Sequence, residues 1–375
     1  MKQSVKDILA DNFWIMPATP EYIDKGVPYI TSKNIKNGTI DFSKVNYISQ
    51  EDYENISKNR PILVGDILIS MIGTLGETAE VKRSDGLFYG QNMYLVRIDE
   101  SKVNKRYFLN FFKSNFVKRA LEGKQNQSTQ KYLKANHIED LIIPVPDVTK
   151  QELIAKQLDK LAYIITLRTN ELKQLDELIK ARFVEMFGNP ITNPKGWDIV
   201  ELGELTDIGS SKRIFEKEYV SEGIPFYRTK EIVELSKGNS VSTELFITEE
   251  RFAEIKEKYG APKNGDLLIS AVGTIGVIWI VDGKNDFYFK DGNLIRVDGS
   301  EKFNSVYMKN LLEYLIDGYK KQMSTGTAYA ALTISGLTKM KVYDIPMELQ
   351  NQFADFVNQV DKSKVVYQGY SQYIA

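Results

Sequence analysis

Asn126-Gln127-Ser128-Thr129-Gln130-Lys131 sets six hydrogen-bonding side chains in an unbroken row, with basic residues on either side. Side chains of these types meet base edges through paired donors and acceptors, so the run is a candidate for reading nucleic acid. The plainer alternative is a flexible polar loop. Its counterpart late in the chain is Ser324-Thr325-Gly326-Thr327. Two further pairs of segments offer the same chemistry: Thr31-Ser32-Lys33 with Arg228-Thr229-Lys230, and Gln91-Asn92 with Asn293. Each also reads as a strand end with a capping role. Gly73-Thr74-x-Gly76 and Gly273-Thr274-x-Gly276 suggest a phosphate loop, yet glycines so placed more often permit the positive φ of a tight turn. Ser70 and Ser270, just before them, remain candidates to face DNA.

Phosphate contact needs local positive charge, because the chain as a whole is balanced: 49 Lys and Arg against 50 Asp and Glu, a net charge of -1. That excludes coating nucleic acid through bulk charge. From Lys102 to Lys134 the basic residues are Lys102, Lys105, Arg106, Lys113, Lys118, Arg119, Lys124, Lys131 and Lys134. Glu122 is the one acid among them, so nine minus one gives +8. Such a segment would neutralise phosphates and make affinity salt-dependent. The alternative is a solvated helix face. Lys118, Arg119, Lys124 and Lys131 are the phosphate candidates drawn from it. The equivalent stretch near Lys302, Lys309, Lys320 and Lys321 is weaker, with Glu301, Glu313 and Asp317 interspersed.

Several chemistries are disfavoured. There is no cysteine and a single histidine, His137, so cysteine-based zinc sites are excluded and a Ser-His-Asp triad has little to work with. No G-x-x-x-x-G-K-[ST] loop occurs, and Gly123-Lys124 and Gly283-Lys284 lack the Ser or Thr that would follow. The Asn/Asp-Pro-Pro-aromatic segment of adenine methyltransferases is absent. Glu171-x-Lys173 and Glu254-x-Lys256 match a fragment of some nuclease sites, but the pattern is common by chance. No catalytic residue and no metal ligand are assigned. No apolar run is long enough for a membrane span, and the start lacks a signal-peptide pattern, so the expected location is the cytoplasm.

The elements that must carry these residues come in duplicate. Gly65 to Gly76 (GDILISMIGTLG) matches Gly265 to Gly276 (GDLLISAVGTIG) at eight of twelve positions, and the other four exchange one apolar residue for another. The match extends to GVPYITSKNI from Gly26 against GIPFYRTKEI from Gly223, and to RYFLNFFKSNF from Arg106 against VYMKNLLEYLI from Val306. A period of about 200 residues is far beyond a solenoid repeat and means two copies of a domain. Within each copy, Ile62 to Ile72, Met93 to Ile98 and Leu294 to Val297 read as strands, and Asn104 to Lys124 as a helix with apolar residues at helical spacing.

Thr149 to Phe187 contains neither Pro nor Gly. Thr149 with Glu152 forms a capping box, and Ile154, Leu158, Leu161, Ile165, Leu172, Leu175, Ile179 and Met186 follow at three-four spacing. A helix that long with one narrow apolar stripe wants a partner helix. Leu349, Phe353, Phe356, Val360, Tyr367, Tyr370 and Ile374 supply one, with Gly369 expected to interrupt its last turns. The expected fold class is mixed α/β: two duplicated globular domains separated by two long antiparallel coiled-coil helices. The boundaries are 1–148 for the first domain, 149–187 for the central helix, 188–346 for the second domain and 347–375 for a short C-terminal helix.

As a set these segments resemble the specificity subunit of type I restriction-modification systems. The resemblance rests on the paired G-[IV]-P-[FY] and G-D-[IL]-L-I-S segments, on Ser128-Thr129-Gln130-Lys131, and on the proline-closed domain ends before Gln-containing helices. RFVEMFGNP at Arg182 to Pro190 and NPKGWDIVELGEL at Asn193 to Leu205 add to it. In the first copy Val5 onward is the apparent match to Val200 onward. The resemblance implies a DNA-reading scaffold without chemistry of its own. Each recognition domain would read one half of a split double-stranded target, under a pseudo-twofold internal symmetry. The long helices would hold two adenine methyltransferase subunits, often with restriction subunits. AdoMet, ATP and Mg²⁺ would belong to those partners, and this chain would carry no cofactor. The alternatives are a stand-alone nuclease or modification enzyme, and a protein-interaction scaffold that does not touch DNA.

Overall fold

The computed structural model describes residues 2–73, 75–123, 132–323 and 331–371, with the backbone alone at 321–323 and 365–371. The chain divides into two compact units, Met1–Thr166 and Leu167–Ala375.

Both units follow one sheet plan. In the first, an antiparallel sheet runs in the order Leu9–Ile15, Met93–Ile98, Ile67–Ser70, Thr78–Glu80. A second sheet places Val27–Thr31 between Asn46–Ile48 and Tyr89–Gln91, parallel to the latter. Lys2–Ser4 pairs with Ile142–Pro144 to close the unit. The second unit repeats this with Ile208–Gly209, Leu294–Val297, Leu267–Ser270 and Ile278–Ile280, then Phe246–Ile247, Ile224–Tyr227 and Tyr288–Phe289, then Ile199–Glu201 on Lys341–Tyr343.

The repeated strand is apolar at consecutive positions because it is covered on both faces. Ile67 and Ile69 enter a core with Tyr107, Phe108 and Phe112, while Leu68 enters another with Ile30, Phe88 and Leu95. Leu267 and Ile269 likewise meet Tyr307 and Leu311, and Leu268 meets Ile232 and Phe289. The Gly-Asp pair before the strand is a turn device. Gly65 and Gly265 sit at φ +93° and +91°, where only glycine is unstrained. The buried Asp66 carboxylate accepts the Leu63 N–H at 2.8 Å and pairs with Arg97 Nε at 2.7 Å. Asp266 accepts the Lys263 N–H at 2.8 Å in the same way.

The long helix runs Val148–Phe187. Its cap is Asp147 rather than Thr149: the Asp147 carboxylate accepts the Lys150 N–H at 2.9 Å, which moves the start one residue earlier. The end is fastened twice, by Lys195 Nζ on the Glu185 and Met186 carbonyls at 2.6 and 2.9 Å and by the Trp197 indole N–H on the Phe187 carbonyl at 2.9 Å. Within the second unit this helix packs antiparallel to the C-terminal helix Met347–Ser371. Phe183 and Phe187 pack on Phe353, and Asp176 pairs with Lys364 at 2.8 Å as the chains run apart in opposite directions. Arg182, an exception to the apolar stripe, lies over the Phe356 ring. Gly369 does not interrupt the C-terminal helix, whose backbone continues to Ser371; one glycine costs a helix about 1 kcal/mol but does not break it. Leu158, Leu161 and Ile165 of the expected seam stand 41%, 39% and 51% exposed.

The expected helix from Asn104 is two helices in the first unit, Lys105–Phe112 and Asn115–Glu122. Ser114 splits them by capping the second, its hydroxyl accepting the Val117 N–H. The second unit has Tyr314 in that register, which stacks on Phe183 instead, and its helix Ser305–Met323 is continuous. The start of the first unit also aligns differently from the sequence match. Val5 donates to the Leu141 carbonyl as Leu202 does to Met340, so Val5 answers Leu202 and not Val200.

Candidate nucleic-acid interface

In the second unit the parallel pairing of Ile224–Tyr227 with Tyr288–Phe289 brings two strand ends side by side. Arg228 follows the first strand as the N-cap of the helix Thr229–Ser236, held by Glu231, whose carboxylate accepts the Arg228 N–H at 2.9 Å. Lys290 to Asn293 follow the second. The strand Leu267–Ser270 pairs with Leu294–Val297, which lays the turn 271–276 against Asn293; the Ala271 N–H donates to the Asn293 carbonyl at 2.8 Å. Gly276 in that turn has φ +77°, and a Cβ there would come within 2.5 Å of Ile316.

The outcome is a hollow of about 500 Å³ lined by Thr229, Lys230, Gly273, Thr274 and Asn293 among others. Four of the residues singled out by sequence thus meet in one place. Asn293 also lines a neighbouring hollow of about 370 Å³ with Arg213, Phe215, Lys290 and Asp291. Arg213 is 66% exposed and held by Asp291 at 2.8 Å, so its guanidinium is presented to solvent in a fixed place. Of the residues lining the first hollow, Thr229 has its Oγ1 shielded from solvent with no hydrogen-bond partner among the described residues. An unmatched buried polar atom costs about 1–3 kcal/mol.

The first unit fills the same register differently. Ser32 corresponds to Thr229, but it is buried and its hydroxyl is saturated. It donates to the Asn92 carbonyl and accepts from the Met71 and Ile72 N–H groups at 3.2 and 3.4 Å. Ser70 and Ser270 are wholly buried and accept the Glu77 and Val277 N–H groups, each at 2.9 Å. These three serines hold turns and do not face a ligand, which corrects their candidacy. Thr31 donates its N–H to Asn34 Oδ1 at 2.9 Å and is half-buried, while Lys33 is exposed. Gln91 and Asn92 are half-buried, Gln91 with its amide oxygen 3.4 Å from the Thr19 hydroxyl. Thr74, Lys124, Gln127, Ser128, Thr129, Gln130, Lys131, Ser324, Thr325 and Thr327 lie outside the described residues.

The basic segment is less free than its sum of +8 suggests. Lys102 pairs with Asp99 at 3.3 Å, Lys105 with Glu100 and Glu80 at 3.1 and 3.5 Å, and Arg106 with Asp159 at 2.8 Å. Lys113, Lys118 and Arg119 stand exposed. Lys113 and Lys118 rim a hollow of about 690 Å³ that also takes in Asn37, Gly73 and Glu77. His137 lies on the short helix Ala135–Glu139, its Nδ1 3.4 Å from the Lys134 N–H. Arg213, Phe215 and Lys290 were not singled out by sequence. The signal available was SSKRIF from Ser210, a polar run leading into the repeated GIPF segment. No helix among the described residues is long and apolar enough to cross a membrane.

Two copies of one mixed α/β domain, each followed by a long helix, make up the chain. A sequence profile described as the type I restriction modification DNA specificity domain matches residues 13–177 and 194–366. The chain belongs to that family. A putative type I restriction enzyme specificity subunit from Haemophilus influenzae is 29% identical over 306 residues, 79% of this chain and 74% of that protein. The putative MjaX specificity subunit from Methanocaldococcus jannaschii is 24% identical over 365 residues, 90% and 80% of the two chains. The crystal structure of a type I restriction-modification S subunit from M. genitalium shares the fold, with a TM-score of 0.56 at 15% identity over 99% of this chain and 91% of that one.

Proposed function

We propose that this chain is the non-catalytic specificity subunit of a type I restriction-modification complex, with each recognition domain reading one half of a split DNA target. The observation that supports this reading is the duplicated parallel strand pair, beside which Thr229, Lys230, Thr274 and Asn293 line one hollow in the second unit, and in which Thr31 lies opposite Gln91 in the first, with Lys33 and Asn92 just beyond in sequence. Arg228, Arg213 and Lys290 extend the second surface, and Lys118 and Arg119 supply phosphate contacts to the first. Because the two sets differ in residue type, the half-sites they read differ in sequence. The runs from Lys124 to Lys131 and from Ser324 to Thr327 belong to the same proposal on their composition alone. The long helices hold two adenine methyltransferase subunits, with restriction subunits joining them. AdoMet, ATP and Mg²⁺ act in those partners and not in this chain.

The test is co-expression with the methyltransferase subunit and mapping of N6-methyladenine across host DNA at base resolution. A split motif with two unlike halves is expected. Exchange of residues 1–148 for another recognition domain should then alter one half-site alone. Magnesium-dependent cleavage by the purified chain would instead support a nuclease, and binding that ignores both sequence and salt would support a scaffold.

A further inference from the structure

Two glutamines share the main part of one hydrogen-bonding pattern. Gln151 and Gln350 are 0% and 2% exposed, each within the first turn and a half of the helix that follows its recognition domain. Gln151 Oε1 accepts the backbone N–H of Asn104, and Gln350 Oε1 accepts that of Asn304, both at 2.8 Å. Gln151 Nε2 donates to the Pro146 carbonyl at 2.8 Å and to the Lys102 carbonyl at 3.3 Å. Gln350 Nε2 donates to the Ile345 carbonyl at 2.7 Å. In both copies that acceptor is the residue five back, in the proline-containing link between domain and helix, and the donor opens a helix of the domain itself. One side chain therefore ties together the domain, the link and the long helix.

Other contacts at this junction either depend on side chains that the recognition domain carries, as Arg106 on Asp159 at 2.8 Å and Asn304 Nδ2 on Asn351 Oδ1 at 2.9 Å do, or are apolar and fix distance better than direction. Ile154 and Ala155 pack on the first core, and apolar contact tolerates sliding. Hydrogen bonds to backbone atoms, three for Gln151 and two for Gln350, do not, because each requires alignment as well as distance. The partners are all main-chain groups, so the junction depends little on which side chains a recognition domain carries. Asn104 and Asn304 are themselves fixed, each side chain accepting N–H groups of the helix it begins.

We propose that Gln151 and Gln350 are positioning residues that set the angle between each recognition domain and its following helix, and thereby the spacer between the two half-sites. The inference rests on the bipartite DNA reading above. A unit of about 150 residues has a radius of roughly 19 Å. A rotation of about 10° at that radius moves its surface by about 3.3 Å, close to the rise of one base pair.

The experiment uses the full chain with Gln151→Met or Gln350→Met, isosteric changes that remove every bond of the latch. Each variant is co-expressed with the methyltransferase subunit, and methylated sites are sorted by spacer length. The bases of both half-sites should stay unchanged. Sites whose spacer differs by one base pair should gain methylation at least ten-fold relative to the cognate spacer. A fall in methylation confined to the cognate spacer would overturn the inference and leave the glutamines a purely structural role. Leu133→Ala, a truncation in the same first core, is the control: it should lower methylation without admitting new spacers, and new spacers there would also overturn the inference. Should Gln151→Met not accumulate as soluble chain, Gln151→Asn keeps the amide, shortens its reach and gives the same readout. A wild-type chain with no split motif would overturn the bipartite reading and this inference with it, whereas a wild-type motif with an unchanged spacer in the variants would overturn this inference alone.

Discussion

Asn293→Ala should relax the second half-site at one base while leaving the rest of the target intact. Asn293 borders both hollows of the second reading surface. Its structural role is carried by its backbone carbonyl, which accepts the Ala271 N–H at 2.8 Å and survives truncation. The side chain is half-buried, so the folding cost should stay within about 0.5 kcal/mol. A carboxamide that meets a base edge through two hydrogen bonds discriminates by about 1–3 kcal/mol, or roughly 5- to 150-fold. Lys230→Ala is the matched comparison. Lys230 is exposed on the same rim, and a lysine on a phosphate carries no sequence information. Its removal should weaken all duplexes alike and lower the slope of log K against log salt by about 0.9. The assay is titration of the methyltransferase complex with duplexes substituted one base at a time across the second half-site. A loss for Asn293→Ala that is uniform over those duplexes, or that falls on the first half-site, would refute base reading by this surface.

Other perturbations test other parts of the argument. Lys118→Ala with Arg119→Ala should lower the salt slope by up to about 1.8 without changing the recognised bases, measured by titration at several salt concentrations. Phe183→Ala removes a ring that packs on Phe187, Tyr307 and Phe353 and should cost about 3–5 kcal/mol, read from urea unfolding. Asp66→Ala leaves Arg97 without its buried partner and the Leu63 N–H without its acceptor, so a loss of about 3 kcal/mol is expected in the same measurement. The hydrogen bonds from Ser43, with Lys36 adding to them, hold the Asp41 carboxyl down at about 2. A depressed folded value means stability present near neutral pH and lost as pH falls toward 2; Ser43→Ala should raise the Asp41 midpoint toward its ordinary value in an NMR titration.

Sequence alone determined the duplication, the repeated turn and strand, and the long helix. These are local or periodic signals. A Gly-Asp pair favours the turn at Gly65 and Gly265 through local groups, the glycine taking positive φ and the Asp carboxylate accepting the N–H three residues back, and a stretch from Thr149 to Phe187 without Pro or Gly permits one unbroken helix. The latch glutamines were visible as Gln residues after each closing proline, but their burial was not. Tertiary structure decided which polar residues are free to act. Ser32 and Thr229 occupy one register, yet Ser32 spends its hydroxyl on the backbone of residues 71, 72 and 92, while Thr229 finds no partner among the described residues. Arg106 is cancelled by Asp159, fifty-three positions away, and Lys105 by Glu80. Arg213 pairs with Asp291, seventy-eight positions away, in a neighbourhood where Ile208–Gly209 meets Leu294–Val297 by an antiparallel pairing that no short-range pattern records. Backbone conformation follows from neighbours in sequence, whereas the satisfaction of a hydroxyl or a charge is settled by groups that only folding brings within hydrogen-bonding distance.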